Sequence, residues 1–114
     1  LILSRLPGEG LCLSDDIFMV YVEQKPGRVA VFALEIAGAR DLIEIAENGT
    51  TELVPSLWIT NLKHIRAKGP KIVLGIAAPV KCQVNRAELV GRGKECEVAF
   101  RSHFSIRGAR CKTR

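Results

Sequence analysis

Histidine is scarce in this chain, present only as His64 and His103, and none of the four cysteines, Cys12, Cys82, Cys96 and Cys111, forms a C-x-x-C pair. A metal site can be drawn from Cys96, His103 and Cys111, but it lacks a fourth ligand at a recognisable spacing. The thiols therefore read as free, some of them acting as small hydrophobes. With no glycine-rich phosphate loop, metal cluster or carboxylate motif beside the histidines, nothing positions a nucleophile, so neither catalysis nor a cofactor is expected. Long apolar runs are missing too. Gly, Pro and charged residues interrupt every one before it reaches membrane-spanning length. The opening Leu1-Ile2-Leu3 has no basic segment and no small-residue cleavage site, and the expectation is a soluble, cytoplasmic protein.

What is present is enough hydrocarbon for a core. At 114 residues and 47% hydrophobic, the chain reads as one compact domain or as two very small units that share a core. Its charge is unevenly placed. The net +5 lies wholly in residues 91–114, where Arg92, Lys94, Arg101, Arg107, Arg110, Lys112 and Arg114 face only Glu95 and Glu97. A basic extension on a neutral body is a footprint for a polyanion, since each base near a phosphate releases a counterion. A solvated charged end that maintains solubility is the other reading.

Strand signals dominate. Leu1-Ile2-Leu3 and Leu11-Cys12-Leu13 flank a turn at Pro7-Gly8-Glu9-Gly10, and Ile17 to Val22 is rich in aromatic and β-branched residues. Lys25-Pro26-Gly27 then turns the chain into Val29-Ala30-Val31-Phe32, which makes a hairpin. Between Ala33 and Glu47 the pattern fits a helix or a strand broken at Gly38, with strand favoured at Leu42 to Ile45. Asn48-Gly49 and Pro55 are breaks, and a further strand spans Ile72 to Ile76. Lys25-Pro26-Gly27-Arg28-Val29 and Lys68-Gly69-Pro70-Lys71-Ile72 share one grammar at an offset of about 43 residues, a spacing typical of supersecondary repeats. Val80 to Val84 alternates as a strand, and Arg86 to Val90 starts a short helix that Gly91 ends. In the extension, Cys96, Val98, Phe100, Phe104 and Ile106 fall at even positions, which predicts a β-hairpin. Trp58, the sole tryptophan, is expected to pack in the core, with stacking on a base as the alternative.

Two of these stretches carry a family resemblance. L1-ILSRLPGEGLCLSDDI resembles the opening of the carbon storage regulator (CsrA/RsmA) family, and K68-GPKIVLGIAAPVKCQVNRAEL resembles that family's closing portion. Together they cover roughly half the chain. The resemblance implies a mainly β fold, a small CsrA-like antiparallel sheet or barrel sandwich, in which the first strand of one subunit lies beside the fifth strand of its swapped partner. It also implies binding to GGA sequences in hairpin loops of mRNA leaders, with translational regulation as the outcome. A small regulatory RNA or an antagonist protein is a further partner that the resemblance allows.

This chain is longer than an ordinary member of about sixty residues, and two architectures account for the difference. One is a fused pseudo-dimer, monomeric, with a core over residues 1–90 divided into halves 1–47 and 48–90 and a basic extension over residues 91–114. The other is an ordinary subunit with a long insertion, which dimerises. In the pseudo-dimer, Asp41 to Glu47 reads as the first half's acidic, eroded last strand, and little room remains between Asn48 and Pro55 for an opening strand of the second half. One working RNA site is then expected, since a carboxylate-lined strand repels phosphate.

Carried onto this sequence, the family's RNA site comprises Leu3, Ser4 and Arg5 from the first strand and Ala78, Pro79, Val80, Cys82, Val84, Asn85 and Arg86 from the last. Arg86 is the principal candidate, because a planar fork of donors meets guanine or phosphate in a geometry that lysine cannot reproduce; pairing with Glu88 is its structural alternative. Arg5 reads either as a phosphate contact or as an edge-strand charge. Asn85 suits a base edge or a turn, and Val80 and Val84 suit a wall. Arg101, Arg107 and Arg110 are expected to add phosphate affinity. The contrasting function is a protein-interaction scaffold that has lost RNA binding, and a third is tail-driven, nonspecific nucleic-acid binding.

Overall fold

A computed structural model describes residues 1–65, 71–79 and 82–112, the side chains of 64, 65 and 106–112 excepted. The chain runs β1 (Ile2–Arg5), β2 (Gly10–Ser14), β3 (Ile17–Lys25), β4 (Val29–Ile36), β5 (Ala39–Ala46), β6 (Thr50–Val54), β7 (Leu57–Ile65), β8 (Lys71–Ala77), β9 (Asn85–Arg86), a 3₁₀ turn (Ala87–Val90) and α1 (Gly93–Lys112). The fold is mainly β, in two antiparallel sheets. One sheet has the order β1-β8-β7-β6 and the other β5-β4-β3-β2-β9.

Alternation decides which residues fill the space between the sheets. Leu11, Leu13, Met19, Tyr21, Phe32 and Ile45 of the five-stranded sheet meet Leu57, Ile59, Ile72, Leu74 and Ile76 of the other in one buried cluster. The opposite face of the five-stranded sheet is apolar as well. There Cys12, Phe18, Val20, Val22 and Val31 are covered by Ala87 and, from α1, by Cys96, Ala99 and Phe100. The layers are therefore sheet, sheet, helix.

The connectivity crosses between the two sheets. β1 leaves β2–β4 and pairs with β8, while β5 leaves β6–β8 and pairs with β4. Local irregularities recur with the same logic. The ladder of β2 with β3 shifts between Cys12 and Ser14, and that of β6 with β7 between Glu52 and Val54. Likewise, β3–β4 shifts between Tyr21 and Glu23, and β7–β8 between Asn61 and Lys63. Gly8 N–H donates to Tyr21 O at 2.7 Å and Tyr21 N–H to Glu9 O at 3.0 Å; Asn48 N–H donates to Asn61 O at 2.6 Å and Asn61 N–H to Gly49 O at 3.0 Å. Gly8 and Asn48 both hold positive φ, 91° and 67°, as this turn requires of its third residue. Each pair of equivalents is 40 positions apart in the chain.

Several sequence expectations change here. Leu42 to Ile45 is a strand, within β5, which follows β4 through the turn at Ala37-Gly38 and leads into the Asn48-Gly49 turn as β1 leads into the Gly8-Glu9 turn. Room for β6 exists after all, at Thr50–Val54. The extension is a helix and not a hairpin: Cys96, Ala99, Phe100 and His103 recur at helical spacing, and Val98, which strand alternation would have buried, is 60% exposed. The second turn of the sequence repeat, Lys68-Gly69-Pro70, lies outside the described residues. Among the described residues, no helix is long and apolar enough to cross a membrane.

Candidate nucleic-acid interface

The two edge strands named by the resemblance lie in different sheets. β1 edges the four-stranded sheet, with Leu3 opposite Leu74, Ser4 opposite Val73 and Arg5 opposite Ile72. β9 edges the five-stranded sheet, with Arg86 opposite Leu11 and Asn85 opposite Cys12. Arg5 joins them. Its Nη1 donates to Glu88 Oε1 at 2.9 Å and to Gly10 O at 3.2 Å, and its Nε donates to Ser4 O at 2.8 Å. Glu9 approaches the same guanidinium at 3.8 Å and fixes the turn by accepting Leu6 N–H at 2.7 Å. One side chain thus ties β1, the start of β2 and the turn that follows β9.

This geometry corrects the reading of Arg5 as a phosphate contact. It is only 5% exposed, and its Nε and Nη1 are engaged by protein acceptors. Burying a charge is tolerable because it is paired and hydrogen-bonded. The Arg5 hydrogen bond also holds the Glu88 carboxyl below its ordinary value, against a partial desolvation that raises it. Glu88 is therefore occupied by Arg5, and Arg86 does not take it as a hydrogen-bonded partner. Arg86 is exposed, and among the described residues no ion pair or side-chain hydrogen bond engages it. With Arg5 neutralised, Arg86 is the charge at this junction that remains open to a ligand.

The other expected site residues divide into walls and surface. Ala78 is exposed and Pro79 half-buried just beyond β8, and Cys82 N–H donates to Pro79 O at 2.9 Å. Cys82 is a free, half-buried thiol, and Val84 packs against the core, as its reading as a wall implied. Regular pairing begins only at Asn85, so the strand expected over Val80 to Val84 is absent from its described part, Cys82 to Val84; Val80 itself lies outside the described residues. Asn85 is in a ladder, not a turn. After Arg86 the short helix expected from sequence is a 3₁₀ turn, closed by Gly91 at φ 76°.

The extension contributes less to this junction than its charge suggested. Arg101 is exposed but paired with Glu97, and the side chains of Arg107 and Arg110 lie outside the described residues. The residue before α1 and the helix itself are committed to packing. Arg92 sits 4.1 Å above the Phe18 ring, and His103 Nε2 meets Glu23 Oε2 at 2.6 Å. Burial pushes the Cys96 thiol up to about 11, which makes it a small core residue and not a nucleophile. Among the described residues, no three His, Cys, Asp or Glu side chains converge as metal ligands.

Trp58 is the residue that sequence reasoning misplaced. It is 42% exposed, on the outer face of the four-stranded sheet. The signal was available in L-W-I-T-N, where buried Leu57 and Ile59 put Trp58 and Thr60 on the opposite face. Comparison with known proteins adds no relative to this geometry: no family model, curated protein or solved structure matches the chain.

Proposed function

We propose that this chain is a single-site RNA-binding regulator of translation, a fused, monomeric form of a two-fold β dimer that reads a GGA-type sequence in the loop of an mRNA leader. The observation that carries the reading is the junction of β1 with β9 around the Arg5–Glu88 pair. Edge strands of two different sheets, tied by an ion pair that spans 83 residues from β1 to the turn after β9, border an exposed arginine that no ion pair or side-chain hydrogen bond engages among the described residues. Exposed strand edges offer backbone donors and acceptors to unstacked bases, and a guanidinium suits a guanine edge or phosphate. The exchange of β1 and β5 supports the fused-dimer form, since each sheet is completed by the opening strand of the other unit.

One site per chain follows from an asymmetry. β9 extends the sheet beside β2, whereas β4 turns straight into β5 and supplies no equivalent strand beside β6. In this reading the absence of that strand, more than the acidic character of β5, leaves the chain with one site. On β5, Glu44 pairs with Lys25 at 2.6 Å and, just past it, Glu47 with Arg28 at 3.0 Å, in exposed pairs worth about 0–1 kcal/mol.

The test is a titration of an RNA hairpin with GGA in its loop against a scrambled-loop hairpin, at fixed moderate salt. Loop-dependent binding at one RNA per chain is expected, with Arg86→Ala weakening it by about 1–3 kcal/mol, or roughly 5- to 150-fold. Equal binding of both hairpins, or of neither, would transfer the surface to a protein partner.

A further inference from the structure

The repeat places Trp58 where the other sheet has Phe18: Phe18 stands opposite Cys12 in the β2–β3 ladder, and Trp58 opposite Glu52 in the β6–β7 ladder. Their surroundings differ. Phe18 is 6% exposed beneath α1, and its ring is capped by the planar guanidinium of Arg92 at 4.1 Å. No helix covers the outer face of the four-stranded sheet among the described residues, and the Trp58 ring is left open to a flat partner.

The sheet face beside that ring runs on toward the candidate interface. Trp58 stands opposite Ala77, and the next residue along the chain is Ala78, so the indole lies within roughly 10 Å of a site residue. One step along the sheet, Gly75 pairs with Ile2 on one side and Thr60 on the other, and the Leu62 side chain lies over it. The polar neighbour is Glu52, whose Oε2 accepts Ser56 N–H at 3.0 Å. A carboxylate there disfavours a phosphate on the indole but accepts from the amino edge of a base.

We propose that Trp58 is a stacking platform for a nucleotide flanking the loop motif, extending the interface from β1 and β9 over the outer face of the four-stranded sheet. The inference rests on the RNA reading above. Stacking suits this position because every base offers a π-face, and the platform adds affinity with little sequence preference.

The sole tryptophan is its own reporter. Binding of the GGA hairpin is followed by anisotropy of a labelled RNA and, in parallel, by the fluorescence of Trp58. Expected are quenching that saturates with binding, a loss of about 5- to 150-fold in affinity for Trp58→Ala, and substantial recovery in Trp58→Phe. An abasic nucleotide on one flank of GGA should abolish quenching while loop-dependent binding persists. If the hairpin binds in a loop-dependent way but neither abasic flank changes the fluorescence and Trp58→Ala binds like the parent, the platform is refuted and the RNA reading stands. If no hairpin binds by anisotropy, both fall together.

Discussion

Arg5 and Ile45 hold equivalent places in β1 and β5, opposite Ile72 and Ala30, and both are buried. At the Arg5 end the buried charge collects Glu88, Gly10 O and Ser4 O, and so draws the segment after β9 against β1. At the Ile45 end hydrocarbon fills the position, and the strand's own carbonyl is taken by Asn61 Nδ2 at 2.9 Å. The difference teaches how one backbone plan yields two unlike ends. A polar anchor needs partners and therefore gathers chain around itself, whereas an apolar residue only needs to be covered.

The largest effect should come from removing the anchor. Arg5→Ala leaves the Gly10 carbonyl without its partner at about 1–3 kcal/mol, and the lost packing of the arginine stem adds to that. Chemical denaturation measures it. A variant as stable as the parent would mean that the two ends are held alike. Arg5→Ile, which copies the other end, should restore packing without restoring the tie to Glu88, so stability should recover more than loop-dependent RNA binding does.

Next in size is a pair of positions that differ in cover. A Cβ on Gly10 would lie 2.6 Å from Cys96 Sγ and 2.8 Å from Met19 O, so Gly10→Ala must displace backbone or α1, at about 1–3 kcal/mol. Its equivalent in the uncovered half is Thr50, an exposed residue whose hydroxyl meets that of Thr60 at 2.9 Å. Thr50→Ala should stay within about 0.5 kcal/mol. Equal costs in thermal unfolding would break the contrast between covered and open sheets.

The smallest effect is one of pH. The Arg5 hydrogen bond depresses the Glu88 carboxyl below its ordinary value of 4.5, so the folded state favours the ionised form. Its contribution is fully present above that value and is lost as pH falls through the lower, folded-state one. Because Glu88 is half exposed, solvent screening keeps the contribution modest. Glu88→Gln should flatten this part of the stability profile below pH 4.5, and an unchanged acid slope would assign it to other carboxylates.

Much of the fold was legible in the chain, and for a local reason. Runs rich in β-branched and apolar residues, I-F-M-V-Y-V and K-I-V-L-G-I, with turns at Pro7-Gly8 and Pro26-Gly27, mark β1 to β4 and β8, since strand preference and turn chemistry are carried by near neighbours. The extension was ambiguous because Cys96, Phe100 and Phe104 satisfy both a period of two and a spacing of four. Of the candidate site, Arg86 could be singled out through the family resemblance and its planar guanidinium, but Arg5 could not be recognised as buried, because its partners Gly10 and Glu88 come from other elements.

By itself, the sequence determined a β-rich body, its hairpins, an internal echo and a basic end, all properties of residues close together in the chain. Only the tertiary structure decided that β1 and β5 change sheets, that Arg5 is an anchor, and that α1 covers Phe18 while Trp58 stays open. Those outcomes depend on which distant segments meet, and burial, pairing and exposure are settled by the neighbours so gathered.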